Sequence, residues 1–318
     1  MEMKELSKAA RWHDVAEEAA GQRIDNYLTR LLKGVPKSHI YRILRGGEVR
    51  VNSGRVAPDY RISAGDRVRI PPVRVARKER DATAVAGPPL DVPVLFEDEA
   101  LLVLDKPSGL AVHGGSGVSF GVIERLRQSR QELRFLELVH RLDRDTSGVL
   151  MLAKKRSALT ALHAQLRAGS IRKFYLTLVR GAWQGAGARD VELPLRKYVL
   201  RSGERRVNIH EGGMPSHTRI RLRKRLGEFS LLEAELKTGR THQIRVHLAH
   251  LGFPIAGDDK YGDFTLNKEL GRQGLKRMFL HACKTVIEHP VTGKKVTLEA
   301  PLSADLETFL SRLGPRSV

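Results

Sequence analysis

The sequence predicts an α+β protein in two parts, a small basic N-terminal module and a large domain with a largely antiparallel or mixed sheet. Three observations carry this. Two short helical patterns and an alternating ribbon fill residues 21–74. A charged stretch ending in Gly87-Pro88-Pro89 over 75–90 reads as a linker. Over 91–315, strand patterns outnumber helical ones.

Residues 1–20 read as a loosely ordered tail. Ile24, Tyr27, Leu28, Leu31 and Leu32 recur at helical spacing, which predicts a helix over 23–33. Pro36 ends the connection. Ser38 is the expected N-cap of a second helix through Ile40, Ile43 and Leu44, stopped by Gly46-Gly47, with Arg42 and Arg45 on the opposite side. Glu48–Asn52 alternates like a strand, Ser53-Gly54 is the expected turn, and Asp66–Ile70 alternates again before Pro71-Pro72. In the large part, 92–96 and 101–104 form an expected hairpin around Glu97-Asp98-Glu99. Further strands are expected over 148–153, 175–179, 219–222 and 230–236, and helices over 121–128, 157–167, 241–250 and 304–313. No period of 20–50 residues signals a solenoid.

The chain has 318 residues and a formal net charge of +20. Residues 21–80 carry fifteen basic and five acidic residues, half of that net charge. Such a field attracts polyanions. Nucleic acid fits better than a membrane surface, because no basic amphipathic helix with exposed aromatics is present. The single cysteine, Cys283, excludes a disulfide scaffold and a Cys-cluster metal site. No apolar run approaches the roughly 20 residues that span a bilayer, and the charged start lacks an apolar signal core. The expectation is a cytoplasmic protein without a membrane partner, and a monomer.

Three segments could carry chemistry. In Val139-His140-Arg141-Leu142-Asp143-Arg144-Asp145-Thr146-Ser147-Gly148, Asp143 is framed by two arginines, and nearby positive charge favours the carboxylate of a nucleophile or base. An aspartate satisfying backbone N–H groups in a turn fits the spacing equally. Asp145–Gly148 differs from an aspartic-protease loop at Ser147, and no matching second loop exists. In Thr238–His247, Gly239 gives a tight turn and Thr241 an expected N-cap. Ile244, Leu248 and Leu251 form a buried stripe, and His242 and Arg245 share another face. Arg245 there could grip a carboxylate or phosphate, or could make a weak surface ion pair. In Lys173-Phe174-Tyr175, Tyr175 is either a core aromatic or a platform for a displaced base. His242, His247, His250 and His281 lack the His-Glu-x-x-His pattern, so no metal is expected. His113–Gly117 resembles an anion nest, but no Walker, G-x-G-x-x-G or G-x-S-x-G motif supports ATP, NAD or serine-hydrolase chemistry.

His140-Arg141-Leu142-Asp143 with Thr146-Ser147-Gly148 resembles the signature of the RluA-type pseudouridine synthases. Lys173-x-Tyr175, Gly239–His247, Leu280-His281-Ala282 and Lys106-Pro107-Ser108-Gly109-Leu110 match as well. Residues 21–74 resemble an S4 RNA-binding domain, and 91–315 the catalytic domain. Gln22–Asn26, Lys33–Ser38, Gly47–Asn52 and Val112–Gly117 are most similar to one subgroup acting on 23S rRNA. The resemblance implies a bent, mixed, mostly antiparallel sheet with a central cleft. It implies isomerisation of chosen uridines in 23S rRNA, or in the assembling large ribosomal subunit, without a cofactor. It assigns Asp143 as the catalytic aspartate, Tyr175 to the target base, Arg245 to the Asp143 carboxylate, Arg141 to the gap left by the uridine, and Leu280 to the pocket floor. Arg42 and Arg45 of the S4 module become RNA contacts. The competing readings are a synthase subgroup with other 23S rRNA targets, a non-catalytic S4-type assembly factor, and an rRNA methyltransferase. The last needs a glycine-rich cofactor loop that the sequence lacks.

Overall fold

Two separate clusters of apolar residues divide the chain into Met1–Ala86 and Gly87–Val318. The computed structural model describes residues 3–5, 9–32, 34–76, 90–114, 120–185 and 187–314. Most of the expected linker, Lys33, and positions 115–117 of the glycine-rich segment lie outside them.

The first unit runs β1 (Met3–Glu5), β2 (Arg11–Asp14), a 3-10 turn at Glu17–Ala19, α1 (Ile24–Leu31), α2 (Lys37–Arg45), β3 (Arg50–Val51), β4 (Gly54–Arg55), β5 (Arg67–Ile70) and β6 (Arg74–Ala76). Ile24 and Leu28 of α1 and Ile40, Ile43 and Leu44 of α2 bury against Val51, Val68 and Ile70 of a sheet ordered β2-β5-β3-β4. Each fully buried side chain of this size contributes about 1.5–3 kcal/mol. Arg42 and Arg45 stay exposed. Asp25 ties the helices together: it accepts from Arg23, from the Tyr41 hydroxyl at 2.8 Å and from the Asn26 N–H. Burial alone would raise its carboxyl; these bonds outweigh burial and hold it below its usual range.

Three expectations need correction here. The tail over 1–20 is not loose from Arg11 on: β2 pairs antiparallel with β5, and Val15 and Ala19 join the core. This short edge strand is held by its backbone ladder and shows no apolar alternation in sequence. Pro36, not Ser38, is the N-cap of α2; its carbonyl receives the His39 and Ile40 N–H groups. The β3–β4 turn centres on Asn52 and Ser53, both at positive φ, rather than on Ser53-Gly54. Asn52 tolerates this because its side chain bonds Asp66 and the Arg67 N–H across the turn.

The second unit continues with β7 (Val94–Glu97), β8 (Leu101–Lys106), α3 (Val122–Ser129), β9 (Glu137–Leu138), β10 (Ser147–Ala153), α4 (Arg156–Ala168), β11 (Arg172–Arg180), β12 (Arg189–Glu192), β13 (Leu195–Val199), β14 (Arg205–Ile209), β15 (His217–Leu226), β16 (Phe229–Leu236), α5 (Gln243–His250), α6 (Phe264–Arg272), β17 (Leu280–Glu288), β18 (Lys295–Glu299) and α7 (Ala304–Leu313). A mixed sheet runs β12-β15-β16-β11-β17-β10-β8-β7, with β18 beside β17 and β9 beside β10. Ser147–Ala153 is apolar almost throughout because β10 is covered on both faces. Leu150 and Leu152 pack with α3 and α5, while Val149 and Met151 pack with α4. Sequence analysis did not assign β12–β14, α6, β17 or β18. In β17 the buried His281 and the partly buried Cys283 and Lys284 interrupt the apolar run.

β10 and β17 run parallel over two register pairs, Ser147–His281 and Gly148–Ala282. Gly148 sits at φ +106°, and a Cβ there would overlap the Ala282 carbonyl. Gly148→Ala is therefore expected to destabilise the protein by about 3 kcal/mol or more, read as a lowered urea midpoint with unchanged slope. A midpoint matching the parent would contradict the packing.

Candidate active site

A cavity of about 660 Å³ opens between the 139–143 segment, the end of α4, β11, the end of β16, the start of α5 and Leu280. That size suits a nucleoside-sized ligand. Asp143, Tyr175, Arg245, Arg141 and Leu280 all line it. Arg42 and Arg45 belong to α2 of the first unit and do not line it.

Asp143 lies on the connection from β9 to β10, held by two neighbouring segments. His140 is half-buried and neutral, its imidazole pushed down to about 3 by desolvation and by Lys173; its Nε2 accepts the Met151 N–H at 3.1 Å. Lys106 is fully buried and donates to the carbonyls of Pro107, Leu110 and Arg144 at 2.8–2.9 Å. Burial pulls its ammonium down to about 7. Ser108 Oγ donates to the Asp145 carbonyl at 2.8 Å. Thus Lys106–Leu110 clamps the backbone immediately after Asp143.

The two flanking arginines do not hold the Asp143 carboxylate, contrary to the simple reading of adjacency. Arg144 turns to Asp145 at 3.2 Å, and Arg141 is exposed. The positive group that faces Asp143 comes from α5: Arg245 Nη1 lies 3.7 Å from Oδ2, and the imidazole of the N-cap His242, its pKa lowered by burial, places Nε2 at 3.8 Å from the same oxygen. Both distances exceed a hydrogen bond, so the carboxylate faces positive charge and makes no hydrogen bond with a described residue.

Arg245 is gripped more tightly by another acid. Its Nε and Nη2 donate bidentately to Asp258 at 2.7 and 2.6 Å, and Nη2 also reaches Asp259 at 3.2 Å. Arg245 is 2% exposed and Asp258 1%. Burial opposes the charge on both; their mutual bonds outweigh it, raising the guanidinium and lowering the carboxyl. Asp258 additionally accepts the Lys260 and Tyr261 N–H groups. Sequence reading missed Asp258, since nothing in Gly257-Asp258-Asp259 distinguishes it from a surface turn.

The start of α5 also differs from expectation. His242, at φ 54°, is the N-cap instead of Thr241, and its Nδ1 bonds the Tyr261 hydroxyl at 2.9 Å. Gln243 closes the turn: its Oε1 accepts the Arg240 N–H and the Thr238 hydroxyl. Beyond the expected stripe, the whole run Gln243–Leu248 is buried. Among the described residues, no group of three His, Cys, Asp or Glu side chains could hold a metal ion.

Tyr175 sits where the β11–β17 register shifts between Phe174 and Leu176, an irregularity that re-aims a side chain. It is 6% exposed. Burial, reinforced by the Asp143 charge, pushes its phenol up, so it stays protonated. It can offer a flat ring beside the acid. Leu280, the first residue of β17, is buried at the cavity wall.

Comparison with known proteins agrees with this geometry. Residues 100–250 match the RNA pseudouridylate synthase family and residues 22–68 the S4 domain. The chain is 54% identical to ribosomal large subunit pseudouridine synthase C of Pasteurella multocida (strain Pm70), over 98% of this chain and 96% of the relative. It is 54% identical to the protein of the same name from Escherichia coli (strain K12), over 94% of this chain and 95% of the relative. The structure of human RNA pseudouridylate synthase domain containing 4 superposes with a TM-score of 0.57 at 25% identity, covering 69% of this chain and 92% of that one. With an S4 domain ahead of the matching catalytic domain and near full-length identity above one half, the chain belongs to the RNA pseudouridylate synthase family, among relatives named ribosomal large subunit pseudouridine synthase C.

Proposed function

We propose that this protein isomerises specific uridines of 23S rRNA to pseudouridine. The observation that carries the reading is the Asp143 carboxylate, without a hydrogen bond to any described residue and 3.7 Å from the Arg245 guanidinium, in a nucleoside-sized cavity. The N1–C1′ bond breaks with its electron pair going to uracil, and the sugar becomes electron-poor at C1′. Asp143 either adds to C1′, as carboxylates do in glycoside chemistry, or removes a ribose proton to leave a glycal. The base turns and C5 bonds to C1′ as the Asp143–C1′ bond breaks or, on the glycal route, as Asp143 returns the ribose proton; the C5 proton is then lost and N1 gains one. Atoms balance without ATP or a redox cofactor.

The remaining residues serve binding. A uridine within folded RNA must leave its stack, at about a few kcal/mol. Arg141, exposed at the cavity, fills the space it leaves, while Tyr175 and Leu280 receive the base. Arg245 faces the Asp143 carboxylate and holds it in place. Arg42 and Arg45 of the S4 unit contact phosphates, which makes binding weaken steeply with salt. We place the enzyme in the cytoplasm as a monomer acting on the rRNA or the assembling large subunit. No helix among the described residues is long and apolar enough to cross a membrane.

Carbodiimide-stop mapping of 23S rRNA from cells lacking this gene tests the function. Stops at particular uridines are expected to vanish and to return with the gene supplied on a plasmid. If every stop persists in the deletion strain, the protein is instead a non-catalytic assembly factor.

A further inference from the structure

Of the six Lys and Arg side chains that line the cavity, three are already engaged. Arg245 is bound to Asp258, Lys237 Nζ to Glu235 at 2.7 Å, and Arg240 Nε to the Pro215 carbonyl at 3.1 Å. Lys173 is different. It lies on β11 two residues before Tyr175 and lines the same cavity. It is half-buried, and its ammonium makes no hydrogen bond or ion pair with any described residue. Burial draws its ammonium below the usual lysine range, and no carboxylate, Asp143 included, offsets this.

A partly desolvated ammonium without a counter-ion is costly unless a ligand brings the negative charge. The neighbouring backbone leaves room for one. A Cβ at Gly239 would stand 3.3 Å from Lys173 Nζ, so any side chain at 239 would begin to cover the ammonium. A glycine there keeps it open to the cavity. An ammonium recognises a phosphodiester as a point charge, and needs no planar match.

We infer that Lys173 is a phosphate-binding residue, taking an RNA backbone phosphodiester adjacent to the uridine held in the cavity. This rests on the reading of that cavity as the pocket for the extruded nucleoside. Lys173 then reads no sequence; it anchors the strand so that the ribose of the flipped residue lies against Asp143.

The test is the salt dependence of binding to a 23S rRNA transcript, measured by filter retention over a series of KCl concentrations. Lys173→Gln is expected to weaken binding about tenfold at low salt. It should also reduce the slope of log affinity against log salt by about 0.7–0.9, the loss of one phosphate contact. Lys173→Arg, which keeps the charge, is expected to retain the parent slope. An unchanged slope for Lys173→Gln overturns the inference; weaker binding at constant slope would assign Lys173 to an uncharged group such as a uracil carbonyl. Pseudouridine formed by the parent protein on the same transcript is read in parallel. Its absence would sink the enzymatic reading, while the slopes would still judge Lys173 as a phosphate ligand.

Discussion

Asp143→Asn is expected to lower pseudouridine formation by roughly 10⁴-fold or more, while affinity for 23S rRNA changes less than about threefold. The substitution keeps the shape of the side chain. It removes the negative charge, so the residue can neither add to C1′ nor accept a ribose proton. RNA affinity is carried elsewhere, by the basic S4 unit and by cations lining the cavity. Stability should hold too. Arg245 keeps its bidentate bonds to Asp258, and the 3.7 Å pair with a carboxylate 20% exposed contributes about 1 kcal/mol at most. Carbodiimide-stop mapping of a transcript incubated with each protein reads the chemistry, and filter retention reads binding. Activity within tenfold of the parent would remove Asp143 from the mechanism. A parallel collapse of binding would make it a structural residue.

Arg245→Met is expected to be the most damaging change to the fold around the site, at about 3–5 kcal/mol. Most of that cost comes from the acid left behind without its guanidinium. Asp258 is 1% exposed, so without the guanidinium burial would push its carboxyl up, with two backbone N–H groups still bonding it. Arg245→Lys would keep the charge but not the two-point grip, and should fall between the parent and Arg245→Met. The pH dependence identifies the cause. Asp258 has a folded-state pKa below its ordinary 3.8, so the ion pair's stabilisation is complete above about pH 4 and fades as pH falls through the folded value. The stability gap between parent and Arg245→Met should therefore be widest at neutral pH and narrow in acid. Urea denaturation followed through the emission of the buried Trp183 measures it. A gap that stays constant from neutral pH to strong acid would show poorer packing, not broken charge pairing, to be the reason.

Much of the site was legible in the sequence because local chemistry concentrates in short segments. Asp143, Tyr175, Arg245, Arg141 and Leu280 all stand in such segments, and all line one cavity. The helices of the first unit followed from apolar spacing, since their burial is one-sided and periodic. What failed has physical reasons. β2 is an exposed edge strand without alternation. The N-caps at Pro36 and His242 are set by backbone carbonyls and by Gln243, not by a capping hydroxyl.

The sequence by itself determined the family signature, the acid proposed as catalytic and a charge suited to a polyanion, because these reside in residue identity and close spacing. Only the tertiary structure decided what surrounds that acid. Arg144, next to it along the chain, turns to Asp145, and Arg141 makes no ion pair with it, while a guanidinium about a hundred residues downstream faces it under the grip of Asp258. Electrostatic energy depends on separation through space. In this protein the packing of α5 against the sheet, rather than proximity along the chain, sets that separation.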